Sequence, residues 1–256
     1  MRFNPARFLI AAAIMISAPL PFWAAHNVIP TPDCLPSDAE IAAKITQADS
    51  QRDANLRGYS VVRKYKLHNS HLKEDAIMTV RLSYVKGQGK SFEVVDLQNA
   101  EGMSRRVLQK IIDSEAQASS QTQDPLDVTS DNYKFHVTGV EDLDGRRCYV
   151  VSLTPKLKSK YLVQGKAWID TSDFGIVRIE GRPAASLSFW VGKPYIVQQF
   201  QKVGQFWMAS HCRSESQSFL LGSSVLTIEY SGYDVNNPDI RVAENLGRRP
   251  KRSADE

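Results

Sequence analysis

The 256-residue sequence lacks the motifs by which many enzymes are recognised. It has no Gly-x-Ser-x-Gly motif, which excludes the usual nucleophile turn of a serine hydrolase. Gly89-Lys90-Ser91 resembles the end of a phosphate-binding loop, but Tyr84 stands where that motif requires its first glycine. A strand rather than a helix is predicted after Ser91. We therefore expect a protein that is not an enzyme and has no catalytic residues.

A convincing set of metal ligands is also missing. Two histidines and two acids share one turn-like segment, namely His68, His71, Glu74 and Asp75. Their context is typical of solvated turn residues rather than of a metal site. His211 and Cys212 are neighbours on a predicted strand, so their side chains point to opposite faces. We expect neither a metal nor a cofactor.

The body of the chain carries almost no net charge, although the whole chain has a net charge of +4. Arg2 and Arg7 account for two of these positive charges, and the tail that begins at Gly247 accounts for the other two. A nucleic-acid partner would require a concentrated basic face. We therefore predict no nucleic-acid binding and a solvated tail.

The first 25 residues are typical of a secretory signal. Arg2 and Arg7 form a positive start, and the apolar run 8–18 is too short to span a bilayer as a mature helix. No Leu-small-small-Cys lipidation signal precedes Cys34, so a lipoprotein is not predicted. We expect export to the periplasm. Because Phe22 and Trp23 stand where a cleavage site prefers small residues, an uncleaved membrane anchor is the alternative.

Cysteine is scarce, with three residues in the chain. Export would place Cys34, Cys148 and Cys212 in a compartment that permits disulfides, and one bridge would leave one thiol over. Cys148 and Cys212 both fall in predicted strands that could be neighbours in a sheet, which favours a bridge between them. Small buried cysteines that never pair are an equally good interpretation.

The remaining chain is long enough for one domain with a substantial core. We predict a signal peptide at 1–25, a Pro-rich linker at 26–36, a folded domain at 37–236 and a disordered basic tail at 237–256. Ser37 and Glu40 form a capping box that opens a first helix running until Gly58. A second helix is predicted at 104–118 because one face of it is apolar.

Most of the domain alternates apolar and polar residues with the period of a β-strand, as in residues 78–84, 133–138 and 226–230. About eleven strands are predicted. They are residues 59–67, 77–85, 92–97, 133–140, 147–155, 161–170, 175–180, 186–190, 195–203, 206–218 and 224–233.

This many strands form a sheet wider than two helices can cover. Strands about 4.8 Å apart give a width on the order of 50 Å, whereas two helices, each about 10 Å across, cover roughly 20 Å. We therefore predict a mainly β (α+β) fold, an unclosed antiparallel β-barrel with two or three helices lidding its concave face over an apolar cavity. A fully packed core without room for a ligand is the alternative.

The alternation also predicts which side chains face this cavity, with an inversion wherever a bulge intervenes. The residues expected to line the concave face and to bind lipid are Val80, Leu82, Tyr84, Phe135, Tyr149, Val151, Trp168, Val177, Ile179, Leu226 and Ile228.

Several segments resemble the LolA/LolB-like outer-membrane lipoprotein-sorting superfamily. They are residues 165–170, 173–181, 188–190, 204–207 and 226–233, within a resemblance that covers about residues 39–235. The resemblance implies an unclosed barrel whose helices lid a hydrophobic cavity for acyl chains. The chain departs from the best-known members of the superfamily, since it has no Arg-Pro pair after its early strands and no lipidation signal.

These observations predict a periplasmic carrier or chaperone, monomeric and non-enzymatic, that binds acyl chains of lipoproteins or lipids between membranes. Apolar burial would drive binding, at about 0.8 kcal/mol per methylene group. The alternative is an envelope-stress sensor of the same fold. Such a regulator would bind an inner- or outer-membrane protein partner through the sheet edge or the convex face.

Overall fold

The computed structural model describes residues 35–119, 128–186, 193–218 and 222–237. These residues form two helices, α1 (Asp38–Asn55) and α2 (Gly102–Ser119), and ten strands. The strands are β1 (Gly58–Asn69), β2 (Ala76–Val85), β3 (Gly89–Gln98), β4 (Tyr133–Leu143), β5 (Arg146–Pro155), β6 (Val163–Asp170), β7 (Ile176–Pro183), β8 (Tyr195–Val203), β9 (Phe206–Ser218) and β10 (Gly222–Val235). Neither helix of these residues is long and apolar enough to cross a membrane.

All ten strands belong to one antiparallel sheet in the order β3-β2-β1-β10-β9-β8-β7-β6-β5-β4. The first and last strands of the described residues, β1 and β10, therefore lie side by side in the interior of the sheet. Within the described residues β3 and β4 are the two edges and do not pair with each other, so the barrel is unclosed. The predicted architecture, mainly β with an open antiparallel sheet, is confirmed.

One line of directly paired residues crosses the whole sheet and identifies the face that both helices cover. Directly paired residues of antiparallel strands place their side chains on the same face. The line runs through Leu97, Met78, Tyr65, Ile228, Cys212, Gln198, Ile179, Ala167, Val151 and Val137. Its β2–β1 end packs against α2 and its β5–β4 end packs against α1. We call this side the inner face, which corresponds to the predicted concave face.

Helix α1 begins at the predicted capping box and is fastened to the edge strand β4. The Ser37 hydroxyl accepts a hydrogen bond from the Glu40 amide at 3.2 Å, which satisfies one of the donors that a helix leaves free at its start. The Asp38 carboxylate accepts from the Val137 amide at 2.8 Å and lies 3.1 Å from Nδ1 of His136. These contacts join the start of α1 to β4.

Helix α2 packs on the other end of the sheet, against β1, β2 and β3. Leu108 and Ile112 lie one turn apart on the apolar face of the helix and are both buried. They share a cluster with Met78, Val80 and Leu82 of β2. This end of the sheet therefore has a closed core.

Bulges and a pair of glycines shape the sheet. Register shifts interrupt five of the nine strand pairings, and each shift adds twist where a residue is left unpaired. Gly165 of β6 faces Gly181 of β7, and a side chain on either residue would collide with the backbone of the opposite strand. The missing Cβ atoms allow these strands to approach closely.

Most predicted elements agree with the structure to within a few residues. The clearest difference is β3, which begins at Gly89 rather than at residue 92, so that Gly89-Lys90-Ser91 lies within a strand. Strand β7 extends to Pro183 rather than ending at residue 180. Apart from Ser186, the predicted strand 186–190 lies outside the described residues, as do the predicted signal peptide, most of the linker and nearly all of the basic tail.

Candidate functional site: a cavity on the inner face

A cavity of about 640 Å³ lies between the second half of α1 and the middle strands of the sheet. Its apolar floor is formed by Ile179 of β7, Ile196 and Phe200 of β8, and Met208 of β9. The main contacts of α1 are with β4 and those of α2 are with β1 to β3. The two helices therefore pack on the two ends of the sheet, and the space between them stays open.

A change of side-chain type along α1 explains where the cavity begins. Ile41 and Ile45 are buried against the sheet in the first half of the helix. The next positions on the same helix face, three, four and seven residues after Ile45, carry Ala48, Asp49 and Arg52. All three line the cavity. Because they are small or polar, the helix has no large apolar side chain there to fill the space beneath it.

Part of the cavity wall is a buried ion-pair cluster that joins α2 to the sheet. Arg63 of β1 donates from Nη1 to Oε2 of Glu115 at 2.7 Å, and Nζ of Lys90 lies 3.4 Å from Oε1 of the same carboxylate. All three residues line the cavity. Burial opposes the ionisation of Glu115, but the charges of Arg63 and Lys90 keep the pKa of its carboxyl below its ordinary value. The carboxylate is therefore charged at neutral pH.

Two tyrosines surround Arg63. Its guanidinium carbon lies 5.0 Å from the centre of the Tyr230 ring, within the range of a cation–π contact. Its Nη1 also lies 3.4 Å from the Tyr65 hydroxyl. Burial raises the pKa of Tyr230 well above its ordinary range, so the phenol stays neutral. In contrast to Nη1, the Nε atom of Arg63 is buried with no hydrogen-bond partner among the described residues.

Another part of the wall consists of Trp207 and Asp173, and further charged groups lie next to them. The indole Nε1 donates to the Asp173 carboxylate at 3.2 Å, and Lys202 lies 2.5 Å from the same carboxylate. The guanidinium of Arg146 lies 5.1 Å from the Trp207 ring centre. A side chain at Gly175 would collide with the indole, so this glycine permits the ring to lie there. The cavity thus has an apolar floor and a wall with several charges.

Nine of the eleven predicted cavity residues lie on the inner face, in two clusters. The cluster under α2 contains Val80, Leu82, Tyr84, Leu226 and Ile228. The cluster next to α1 contains Phe135, Tyr149, Val151 and Ile179. Of these nine, Ile179 lines the cavity, whereas the others contribute to the packing on either side of it.

The prediction is wrong for Trp168 and Val177, which lie on the outer face. They pack with Cys148 and Val150, and Trp168 pairs directly with Val150. Strand β7 has an extra residue opposite the Trp168–Ile169 step, so the alternation that joins Val177 to Ile179 is broken. For Trp168 the reason differs, because residues 167–170 are buried on both faces and their pattern does not distinguish inside from outside.

The predicted bridge between Cys148 and Cys212 is also wrong, because both thiols are free. Cys148 belongs to β5 and Cys212 to β9, and three strands separate them in the sheet. They also face opposite sides, since Cys148 lies in the outer-face cluster and Cys212 lies on the paired line of the inner face. Burial raises the pKa of both thiols to about 11. Cys34 lies outside the described residues.

The histidines considered for chemistry lie in ordinary polar surroundings. His68 Nδ1 lies 2.7 Å from Asp75 near the turn between β1 and β2, and both side chains reach solvent. His136 lies beside Asp38, whose carboxylate also accepts from the Val137 amide. Among the described residues, no group of three or more His, Cys, Asp or Glu side chains could hold a metal ion.

The charged cavity-lining residues that the sequence interpretation missed are Arg63, Lys90 and Glu115. One of these residues could have been found from the sequence. Arg63 is a charged residue in an alternating series of otherwise apolar or aromatic residues, between Val61 and Tyr65. A charge at an inward position of a strand indicates a buried partner or a ligand. Neither Lys90 nor Glu115 is marked by its local pattern, since their contact depends on where α2 lies.

Comparison with known proteins finds similar structures but no similar sequences. No protein-family model matches the chain, and no curated protein matches it. A domain assigned to outer-membrane lipoprotein sorting from Vibrio parahaemolyticus has a TM-score of 0.46 at 13% identity, over 81% of this chain and 96% of that one. A LolA superfamily protein from Nitrosomonas europaea has a TM-score of 0.42 at 12% identity, over 79% and 95%. A DUF1329 family protein from Desulfovibrio piger has a TM-score of 0.40 at 12% identity, over 78% and 92%. At these identities the likeness is one of fold alone.

Proposed function

We propose that the protein is a periplasmic carrier or chaperone that holds acyl chains of lipoproteins or lipids in the inner-face cavity. The observation that supports the proposal is the space of about 640 Å³ above an apolar floor of Ile179, Ile196, Phe200 and Met208. Pockets of about 300–1,000 Å³ with mainly apolar walls are typical of small-molecule sites. In this proposal the carrier acts as a monomer and uses no cofactor.

The cavity has the right size for an acyl chain. A water molecule has a share of about 30 Å³ in the liquid, and a methylene group is of similar size. The volume of about 640 Å³ therefore corresponds to about 20 methylene groups. Each buried methylene contributes about 0.8 kcal/mol, so transfer from water can supply the affinity without covalent chemistry. Shortening a bound chain by two methylenes should weaken binding by about tenfold.

Lipid extraction and titration test the proposal. The full-length protein would be expressed with its own N-terminal segment and purified from the periplasm, and extracted lipids would be identified by mass spectrometry. The lipid-free protein would then be titrated with a series of fluorescent fatty acids of increasing chain length. We expect a co-purifying acyl lipid and an affinity that rises with chain length.

Two substitutions on neighbouring residues of β8 provide a matched control. Ile196 lines the cavity, whereas Val197 points to the outer face because side chains alternate along a strand. Ile196→Gln should weaken binding by about five- to tenfold, since it places an amide in the apolar floor. Val197→Gln should leave the affinity unchanged. Equal effects of the two substitutions, or a protein that binds no acyl chain, would contradict the carrier function.

A second candidate function is the binding of a membrane-protein partner along the β3 edge. Val94 and Val95 of this edge strand are 47% and 51% exposed. An edge strand can accept an added strand from another protein. A photoreactive residue at position 95 in living cells should then cross-link to a membrane protein, whereas one at outer-face position 178 should not. Absence of a cross-link at position 95 would remove this candidate.

A further inference from the structure

Gln198 is a polar residue in the middle of the apolar floor of the cavity. It lies between Ile196 and Phe200 along β8 and directly opposite Ile179 of β7, and all four residues line the cavity. The residue is half-buried. An amide loses its hydrogen bonds to water when an apolar ligand covers it. Its place in this surface therefore raises the question of which groups replace the water.

The nitrogen of this amide is satisfied by the sheet itself. Nε2 donates to the carbonyl oxygen of Gln199 at 2.9 Å and to that of His211 at 3.1 Å. Both carbonyls lie next to the register shift between β8 and β9, where Ser210 has no partner in β8. Because a carbonyl oxygen can only accept, these bonds fix the orientation of the amide. Its nitrogen faces the strands and its oxygen faces away from these carbonyls.

The oxygen of the amide has no partner but is accessible. Oε1 of Gln198 accepts no hydrogen bond from any of the described residues. Within the described part of the chain, the side-chain atoms that are both fully buried and without a partner are Nε of Arg63 and Nε of Arg178. Oε1 of Gln198 is not one of them, and the residue lines the cavity. A ligand in the cavity can therefore reach this acceptor.

This acceptor distinguishes between two kinds of acyl chain. A wholly apolar chain over the floor would displace water from Oε1 and leave the oxygen buried without a donor, which is unfavourable. A chain that carries a hydroxyl or an amide N–H at this point would replace the water with a hydrogen bond of its own. Sites with a buried acceptor discriminate strongly against ligands that lack the matching donor.

We infer that the cavity selects acyl chains that carry a hydrogen-bond donor, and that Oε1 of Gln198 accepts from it. The donor is a hydroxyl group on the chain or the N–H of an amide-linked acyl group. The rest of the chain lies over Ile179, Ile196 and Phe200. This selectivity rests on the proposed carrier function and adds the chemical class of the ligand to it.

Calorimetric titration of the full-length protein with two matched pairs of ligands tests the inference. One pair is octadecanoate with a hydroxyl group on its twelfth carbon and the same acid with a keto group there, which has no donor. The other pair is N-hexadecanoylglycine and N-hexadecanoylsarcosine, in which a methyl group replaces the amide hydrogen. In one of the pairs the donor should tighten binding by about five- to tenfold. That pair identifies the kind of donor.

Two substitutions at neighbouring positions assign the preference to Gln198. Gln198→Met introduces an apolar side chain of similar length, so it should abolish the preference for donors. It should also tighten binding of unsubstituted octadecanoate by about threefold, because no acceptor is then covered. A purely structural role at the register shift would change all affinities in the same direction. Gln199→Met is the matched control, because Gln199 pairs with Arg178 on the outer face, and it should leave all affinities unchanged.

The outcomes separate this inference from the carrier function. Equal binding within both pairs by the wild-type protein overturns the inference and leaves the carrier function supported. Binding of none of the acyl ligands, unsubstituted octadecanoate included, overturns both. A preference for donors that persists in Gln198→Met overturns the role of Gln198. If Gln198→Met does not fold, the two pairs measured on the wild-type protein decide.

Discussion

The two helices cover the same face of one sheet, but they do so with different completeness. Helix α2 buries Leu108 and Ile112 in a continuous cluster with β1, β2 and β3. Helix α1 buries Ile41 and Ile45 in its first half, whereas its second half stands over the cavity with Ala48 and Arg52. The difference shows how a packed fold can leave a cavity. Small or polar side chains on part of one helix are sufficient, and the backbone need not change.

The two helices also differ in how charge attaches them to the sheet. Helix α2 is attached by Glu115, which reaches Arg63 in the interior, with side-chain exposures of 23% and 8%. Helix α1 is attached by Asp38, which contacts Val137 and His136 at the surface of β4. We therefore expect the packing under α2 to determine the stability of the domain, and the open space beneath the second half of α1 to determine ligand binding.

The largest effect on this comparison is expected from Leu108→Ala. Leu108 is fully buried, and its truncation leaves a cavity under α2, so the free energy of unfolding should fall by about 2–5 kcal/mol. Affinity for an acyl chain should stay the same, because Leu108 does not line the cavity. Urea unfolding and fatty-acid titration measure the two quantities. Val107→Ala, at an exposed position of the same helix, should change stability by less than about 0.5 kcal/mol.

Glu115→Gln should reduce stability by about 1–3 kcal/mol at neutral pH, because it leaves the buried Arg63 without its counter-ion. The folded-state pKa of Glu115 lies below the ordinary value of 4.5. Its contribution to stability is therefore fully present above that value and is lost as the pH falls through the lower folded-state pKa. Urea unfolding at a series of pH values should show a smaller loss at acid pH in Glu115→Gln than in the wild type. The same acid sensitivity in both proteins would contradict the role of this carboxylate.

The fold was predictable from the sequence because alternation survives in nearly every strand. Paired residues such as Tyr65 and Met78 extend the apolar face from one strand to the next. The alternation within each strand can be recognised without knowing the order of the strands in the sheet. The outer-face position of Val177 could not be predicted in the same way. It depends on a bulge in β7, which forms only when β6 and β7 pair.

The candidate site was predictable in kind but less so in detail. Two helices cannot cover ten strands, which is visible from counting elements, and the cavity lies where that argument leaves space. The position of the cavity depends on Ala48 and Arg52 of α1. Their effect can be recognised only when the position of α1 on the sheet is known. The contact between Arg63 and Glu115 joins residues 52 positions apart in the chain, so it depends on tertiary packing.

Ala48→Phe should fill part of the cavity, so that α1 would cover the sheet more nearly as completely as α2 does. The larger side chain would occupy space that an acyl chain needs, and binding should weaken by about tenfold while the free energy of unfolding changes by less than about 1.5 kcal/mol. Ala43→Phe, on the exposed side of the same helix, is the matched control and should not affect binding. Unchanged affinity in Ala48→Phe would mean that acyl chains bind elsewhere.

The smallest effect is expected from Asp38→Ala, which releases the start of α1 from β4. The Val137 amide, followed by His136, keeps the pKa of Asp38 below its ordinary value, so the carboxylate is charged and the contact is present at neutral pH. Its removal should speed hydrogen exchange at the Val137 amide, which loses its acceptor. Amides of β1 and β2 beneath α2 should exchange at wild-type rates. Faster exchange beneath both helices would show that the two ends of the sheet open together. It would contradict the distinction between the end packed under α2 and the end next to the cavity under α1.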